Sequence, residues 1–144
     1  MKNRKGAGFT LIELLVTIAI IGLLVVIVII NMQNPRARAH DINIQRFMHQ
    51  LRNAAQLSYN RVESYEEVCD ETNNTLSDAE AFGLLERALE NENPGEVVTC
   101  FETADGEGFA ASFPLVARSG KHWCIEAAGA GVEINAPITS ASCK

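Results

Sequence analysis

An α+β fold is predicted, with one long N-terminal helix and a small C-terminal head carrying an antiparallel sheet of three to four strands, and it rests on three observations. Residues Phe9 to Ile30 form a nearly unbroken apolar run. Beyond it, Ile44, Phe47, Met48, Leu51, Ala54, Ala55, Ser58 and Val62 recur at steps of three and four, the signature of one helical stripe. From Glu96 onward the pattern changes to short β-prone pieces separated by turn residues.

The 144 residues carry a net charge of -6, but the charge is segmented: +3 over 1–8, -1 over 9–30, +4 over 31–62, -13 over 63–107 and +1 over 108–144. A strongly basic nucleic-acid binder is excluded as a description of the whole chain, and so is a large enzyme with a deep core. With 47% apolar residues the chain is not disordered throughout.

The first element is the run from Phe9 to Ile30, 22 residues with Glu13 as its one charge. As a helix it would reach about 33 Å, close to the ~30 Å of bilayer hydrocarbon. Lys2, Arg4 and Lys5 precede it, so the positive-inside bias keeps 1–8 in the cytoplasm and sends the rest outward. A cleaved secretory signal would use Ala37-Arg38-Ala39 as its cut site, but the apolar run is too long for one, and Pro35, Arg36 and Arg38 intervene. A plain single-pass anchor leaves Glu13 unexplained, because a carboxylate within an apolar helix costs about 2.5–3.5 kcal/mol on insertion scales and needs a partner. The run contains no Lys or Arg to supply one. A new amino terminus made by cutting just before Phe9 would.

Lys5-Gly6-Ala7-Gly8 followed by Phe9-Thr10-Leu11-Ile12-Glu13-Leu14-Leu15-Val16 resembles the class III signal of type IV pilins and type II secretion pseudopilins. The resemblance covers roughly residues 1–55. It implies cleavage after Gly8 by a prepilin peptidase, N-methylation of Phe9, and use of Glu13 to meet the amino terminus of a neighbouring copy in a helical filament. The proline that many members carry just before the position of Asn31 is Ile30 here, and Pro35 places a kink near 31–35 instead.

The helix is expected to run from Phe9 to about Tyr65, about 85 Å, with 9–30 transmembrane, 1–8 a cleaved cytoplasmic leader, and 66–144 a disulfide-stapled head. Arg36, Arg38, Arg46, Arg52 and Arg61 line its second half against a single Asp41. They read either as an ordinary solvated face or as a row that meets the acidic segment 63–107 of adjacent copies. Within that segment Ser77-Asp78-Ala79-Glu80 reads as a capping box opening a short helix that ends near Asn91-Glu92-Asn93-Pro94-Gly95. Asp105-Gly106-Glu107-Gly108 reads as a hairpin turn and lacks EF-hand spacing. Strands are expected around Val97–Phe101, Phe109–Phe113, His122–Ile125 and Val132–Ile134.

Cys69, Cys100, Cys124 and Cys143 are an even set in a segment placed outside the cytoplasm, so disulfides are the default over zinc, for which no C-x-x-C knuckle exists. Three connectivities are open. Cys69–Cys100, tying the helix end to the first strand, and Cys124–Cys143, closing a C-terminal loop like the disulfide-bounded loop of type IV pilins, are favoured. His40, His49 and His122 fit no metal or nucleophile constellation, and Trp123 reads as core. Asn73-Asn74-Thr75 matches a glycosylation sequon by pattern. No catalytic residue, metal or cofactor is implied.

The resemblance therefore implies a non-enzymatic filament subunit: an inner-membrane single-pass precursor that becomes a cell-surface homo-oligomer. Its partners would be a prepilin peptidase and methyltransferase, an assembly platform and a motor ATPase, the last required because the chain has no P-loop. The rivals are a pseudopilin of a secretion or DNA-uptake system and a membrane-anchored binding domain; nucleic acid stays open as a partner.

Overall fold

The apolar run folds as α1 (Leu11–Asn31) and the striped segment as α2 (Pro35–Val62). The computed structural model describes residues 9–31 and 34–144, in two units, one ending at Pro35 and the other spanning Arg36–Lys144. The Leu11–Ile29 span of α1 has a mean hydropathy of 3.1, and none of it is buried. Within the span expected to be helical, the described residues form two helical segments, α1 and α2, on either side of the kink expected near 31–35. Asn34 takes a left-handed φ of 70° and Pro35 opens α2, a first helical position where its missing N–H is not needed. The far end also falls short of Tyr65: Glu63 turns left-handed at φ 57°, its N–H bonding back to Tyr59 O at 2.7 Å. That turn carries Tyr65 inward, where it is buried and its N–H bonds Gly106 O.

In the Arg36–Lys144 unit a short hairpin, β1 (Cys69–Asp70) and β2 (Thr75–Leu76), precedes α3 (Glu80–Glu92). A four-stranded antiparallel meander follows: β3 (Thr99–Glu102), β4 (Phe109–Pro114), β5 (His122–Glu126) and β6 (Val132–Ile134), hydrogen-bonded in that order. Central pairings are Ala111 opposite Cys100 on one side and opposite Ile125 on the other.

Strand β4 is buried from Phe109 to Phe113 because both faces of the sheet are covered. Phe109, Ala111 and Phe113 join Ile125 and the α2 stripe of Ile44, Met48, Leu51 and Ala55 in the main core. Ala110 faces the other way, into a second cluster with Cys124, Ile138 and Cys143. The C-terminal segment forms that second cover: Ile138 N–H donates to Ser112 Oγ at 3.3 Å, and a Cys124–Cys143 disulfide clamps it to β5. A Cys69–Cys100 disulfide ties the β1–β2 hairpin to β3, beside a bond from Cys100 N–H to Asn74 O at 2.9 Å. The alternation along β4 is what lets one strand serve two cores.

Two departures from the expected elements have local causes. Helix α3 starts without the anticipated Ser77–Glu80 capping box: its N-cap is Ala79, with no side-chain cap. Ser77 Oγ donates instead to Glu67 O at 2.5 Å, holding the end of the β1–β2 hairpin. Trp123 is only partly buried against the main core, and its ring lies against the backbone of Gly131. A Cβ on Gly131 would come within 2.5 Å of the indole nitrogen, so Gly131→Ala must push the ring out of place. The cost expected for such overpacking is about 2 kcal/mol, a fall of about 10 °C in the thermal midpoint, read by circular dichroism on the detergent-solubilised full chain.

Candidate assembly site

The sequence Thr10-Leu11-Ile12-Glu13 builds a reciprocal cap at the start of α1. Thr10 N–H donates to Glu13 Oε2 at 2.9 Å, and the Thr10 hydroxyl donates to the same oxygen at 2.8 Å. In return Glu13 N–H reaches Thr10 Oγ1 at 3.3 Å. Two N-terminal amides are thereby satisfied within one turn, as a capping box does. The carboxylate that the sequence left without an in-chain partner therefore has one, made of neutral donors. Thr10 is the residue that sequence reasoning missed, although the T-x-x-E spacing before an apolar run was there to be read.

This cap is open to its surroundings. Phe9, Ile12, Glu13, Val16 and Thr17 border a groove of about 390 Å³ on α1. Phe9 is 78% exposed, and every described side chain from Phe9 to Ile29 is exposed. Thr17 removes its own polarity by donating its hydroxyl to Leu14 O at 2.8 Å. The helix thus offers an apolar cylinder with one carboxylate near its start. In lipid the two Thr10 donors offset part of the cost of that carboxylate, and its other oxygen makes no hydrogen bond among the described residues. Gly8, the residue before the expected cleavage point, lies outside the described residues.

In the Arg36–Lys144 unit the row of five arginines is divided. Arg52 donates through Nη1 to Gly129 O, and Arg61 pairs with Glu67 at 2.8 Å, so these two are tied up within the unit. Arg36, Arg38 and Arg46 are exposed and make no ion pair among the described residues. Asp41 is not their counterweight on the surface: it is buried and accepts two backbone N–H groups from the loop after β4. His40 Nδ1 sits 2.6 Å from Glu92 Oε2, linking the start of α2 to the end of α3.

The acids crowd one another. Glu102 has its carboxyl pushed up by burial first and then by the charges of Glu71 and Glu66, and one of its oxygens is buried with no hydrogen bond among the described residues. A carboxyl whose folded value is raised makes the ionised form cost stability at neutral pH, and the cost disappears as pH falls below the ordinary carboxylate range. Glu102→Gln is expected to raise the thermal midpoint by about 3 °C at pH 7 and to leave it unchanged near pH 3.5, measured by melting the full chain across that range.

An exposed apolar helix long enough to cross a membrane, followed in the chain by a disulfide-bonded α+β unit, is consistent with a membrane-anchored precursor. Residues 3–29 match the prokaryotic N-terminal methylation motif. This motif is the class III signal of type IV pilins and pseudopilins, and it implies processing by a prepilin peptidase. No solved structure matches the chain.

Proposed function

We propose that the chain is a structural, non-enzymatic subunit of a type IV pilus-like extracellular filament, assembled by helical packing of its apolar stem. The observation that carries this reading is the uncovered α1, whose described apolar side chains are all exposed and whose start holds Glu13 in an open groove. Residues 1–8 are the leader, Phe9 becomes the methylated first residue, 9–30 is the membrane-spanning stem, and the disulfide-bonded segment 66–144 is the head. Leaving lipid for a bundle of copies exchanges one apolar environment for another, so packing and the polar cap decide the geometry.

Glu13 sits four residues from Phe9, and a free amine at Phe9 of a neighbouring copy gives the carboxylate a cationic partner that Thr10 cannot be. Pairing of the two selects one stagger between adjacent stems. The two disulfides and the C-terminal loop closed by Cys124–Cys143 favour a pilus subunit over a pseudopilin.

Mass spectrometry of the mature chain, with electron microscopy of filaments sheared from the cell surface, tests the reading. The expected result is a chain that begins with methylated Phe9 and is the building block of the filament. A retained Met1, a start at His40, or surface filaments lacking this chain overturns it.

A further inference from the structure

The strongest unassigned surface of the Arg36–Lys144 unit is a groove of about 510 Å³ between the second half of α2 and the start of α3. Buried Phe82 lines it, as do Leu57 and Leu84, which are 71% and 60% exposed. Glu80, Glu67 and Arg61 also line it; Arg61 pairs with Glu67, and Glu80 makes no ion pair among the described residues. Nearer the start of α2, Ile42 is 65% exposed. Arg38 and Arg46 are its neighbours at i−4 and i+4, exposed and without an ion pair among the described residues. An apolar knob between two free cations thus stands on the same chain as an apolar groove with acids at its rim.

We propose that this groove receives the Arg38–Ile42–Arg46 face of a second copy of the same chain, Ile42 seating between Leu57 and Leu84 while Arg38 meets Glu80. The proposal rests on the filament reading and names one of its contacts. Charge complementarity selects the occupant: α2 carries an excess of base in its first half, whereas Glu80 stands on the groove rim with no ion pair among the described residues, the Arg61 there being paired with Glu67. A basic visitor gives Glu80 the counter-charge it lacks.

The geometry also decides the type of assembly. Ile42 and Leu57 are 15 positions apart, about 22 Å along α2 at ~1.5 Å per residue. In the filament reading every copy repeats the same contact along one direction. Knob and groove then meet head to tail, a heterologous contact that repeats into an open helix.

The test compares filament yield from cells expressing the full chain with Arg38→Glu, Glu80→Arg, or both. Each single reversal is expected to lower the yield about fivefold or more, and the double reversal to restore it to within about twofold. Because a reversed charge at the start of α3 can unfold the head, Arg38→Lys filaments are also treated with a zero-length carbodiimide. An amide joining the introduced amine to Glu80 of a second copy supports the contact. Single reversals at wild-type yield, or Arg38→Lys filaments with no crosslink between copies at Glu80, overturn it while the filament reading stands. A wild-type chain that forms no filament overturns both.

Discussion

Glu13→Gln is expected to insert into the membrane and start α1 as the native chain does, yet to lower the filament yield by roughly a hundredfold. The reasoning separates two duties that one side chain carries. As the far member of the cap, Glu13 accepts from Thr10 N–H and from the Thr10 hydroxyl. Glutamine accepts through its carbonyl oxygen and is as good a partner in a capping box as glutamate, so the helix start survives. As the proposed partner of a Phe9 amine, Glu13 supplies charge, and glutamine supplies none. Leaving that cation unpaired in an apolar stem bundle costs about 3 kcal/mol, which is about a hundredfold in an association constant. Glu13→Ala removes both duties, whereas Thr10→Ala removes only the cap hydroxyl, worth about 1 kcal/mol. The expected order of filament yield is therefore native, then Thr10→Ala, with Glu13→Gln and Glu13→Ala together at the bottom. Counting sheared filaments at equal precursor levels measures it. Native yield from Glu13→Gln would reduce Glu13 to a helix cap and remove its role in assembly.

Legibility in the sequence followed the range of the interactions involved. Helix α1 could be read because an apolar run of its length has few other fates. The α2 stripe could be read because Ile44, Met48, Leu51, Ala55 and Ser58 repeat at the helical period, and all five are buried. The four-stranded meander was visible as four β-prone pieces between turns, with Gly106 at φ 70° in the β3–β4 turn. What stayed hidden depends on distant partners. The β1–β2 hairpin has strands of two residues, too short for any period to show. Ser77 read as a helix cap, and only the proximity of Glu67 O gives it a role in the hairpin instead. The Cys124–Cys143 pairing was favoured from the sequence, but the seat of Ile138 behind the sheet, bonded to Ser112, has no local pattern near the C-terminus to announce it. Arg52 and Arg61 looked equivalent to Arg36, Arg38 and Arg46 by spacing, yet partners at Gly129 and Glu67 withdraw them from the free surface. In the candidate site, Phe9 and Glu13 stood out through a motif, and Thr10 was overlooked because that motif drew attention to the charge.

Asp41→Ala is expected to lower the thermal midpoint of the full chain by about 15 °C, from a loss of about 3 kcal/mol. From spacing alone Asp41 was one acid among five arginines on a solvated helix, where removal moves stability by no more than about 0.5 kcal/mol. In the structure it is 5% exposed, and Oδ1 accepts Val116 N–H at 2.7 Å and Ala117 N–H at 3.0 Å. These two amides belong to the turn between β4 and β5, so one oxygen fastens the exit of the central strand to the start of α2. Alanine leaves both donors without their acceptor at a part-buried site, and the two together are expected to lose about 3 kcal/mol. An asparagine side chain keeps an acceptor oxygen at the same place, so Asp41→Asn is expected to lose only about 1 kcal/mol, the charge-assisted part of the two bonds. The difference between the two variants separates bonding from charge. Equal losses would mean that the carboxylate's charge matters to the arginines around it, whereas a large gap places its effect in the Val116–Ala117 turn. Because Asp41 is spent on this turn, the cations at Arg38 and Arg46 are left uncompensated on the outer face, and the same buried bond that holds the head together keeps that face basic.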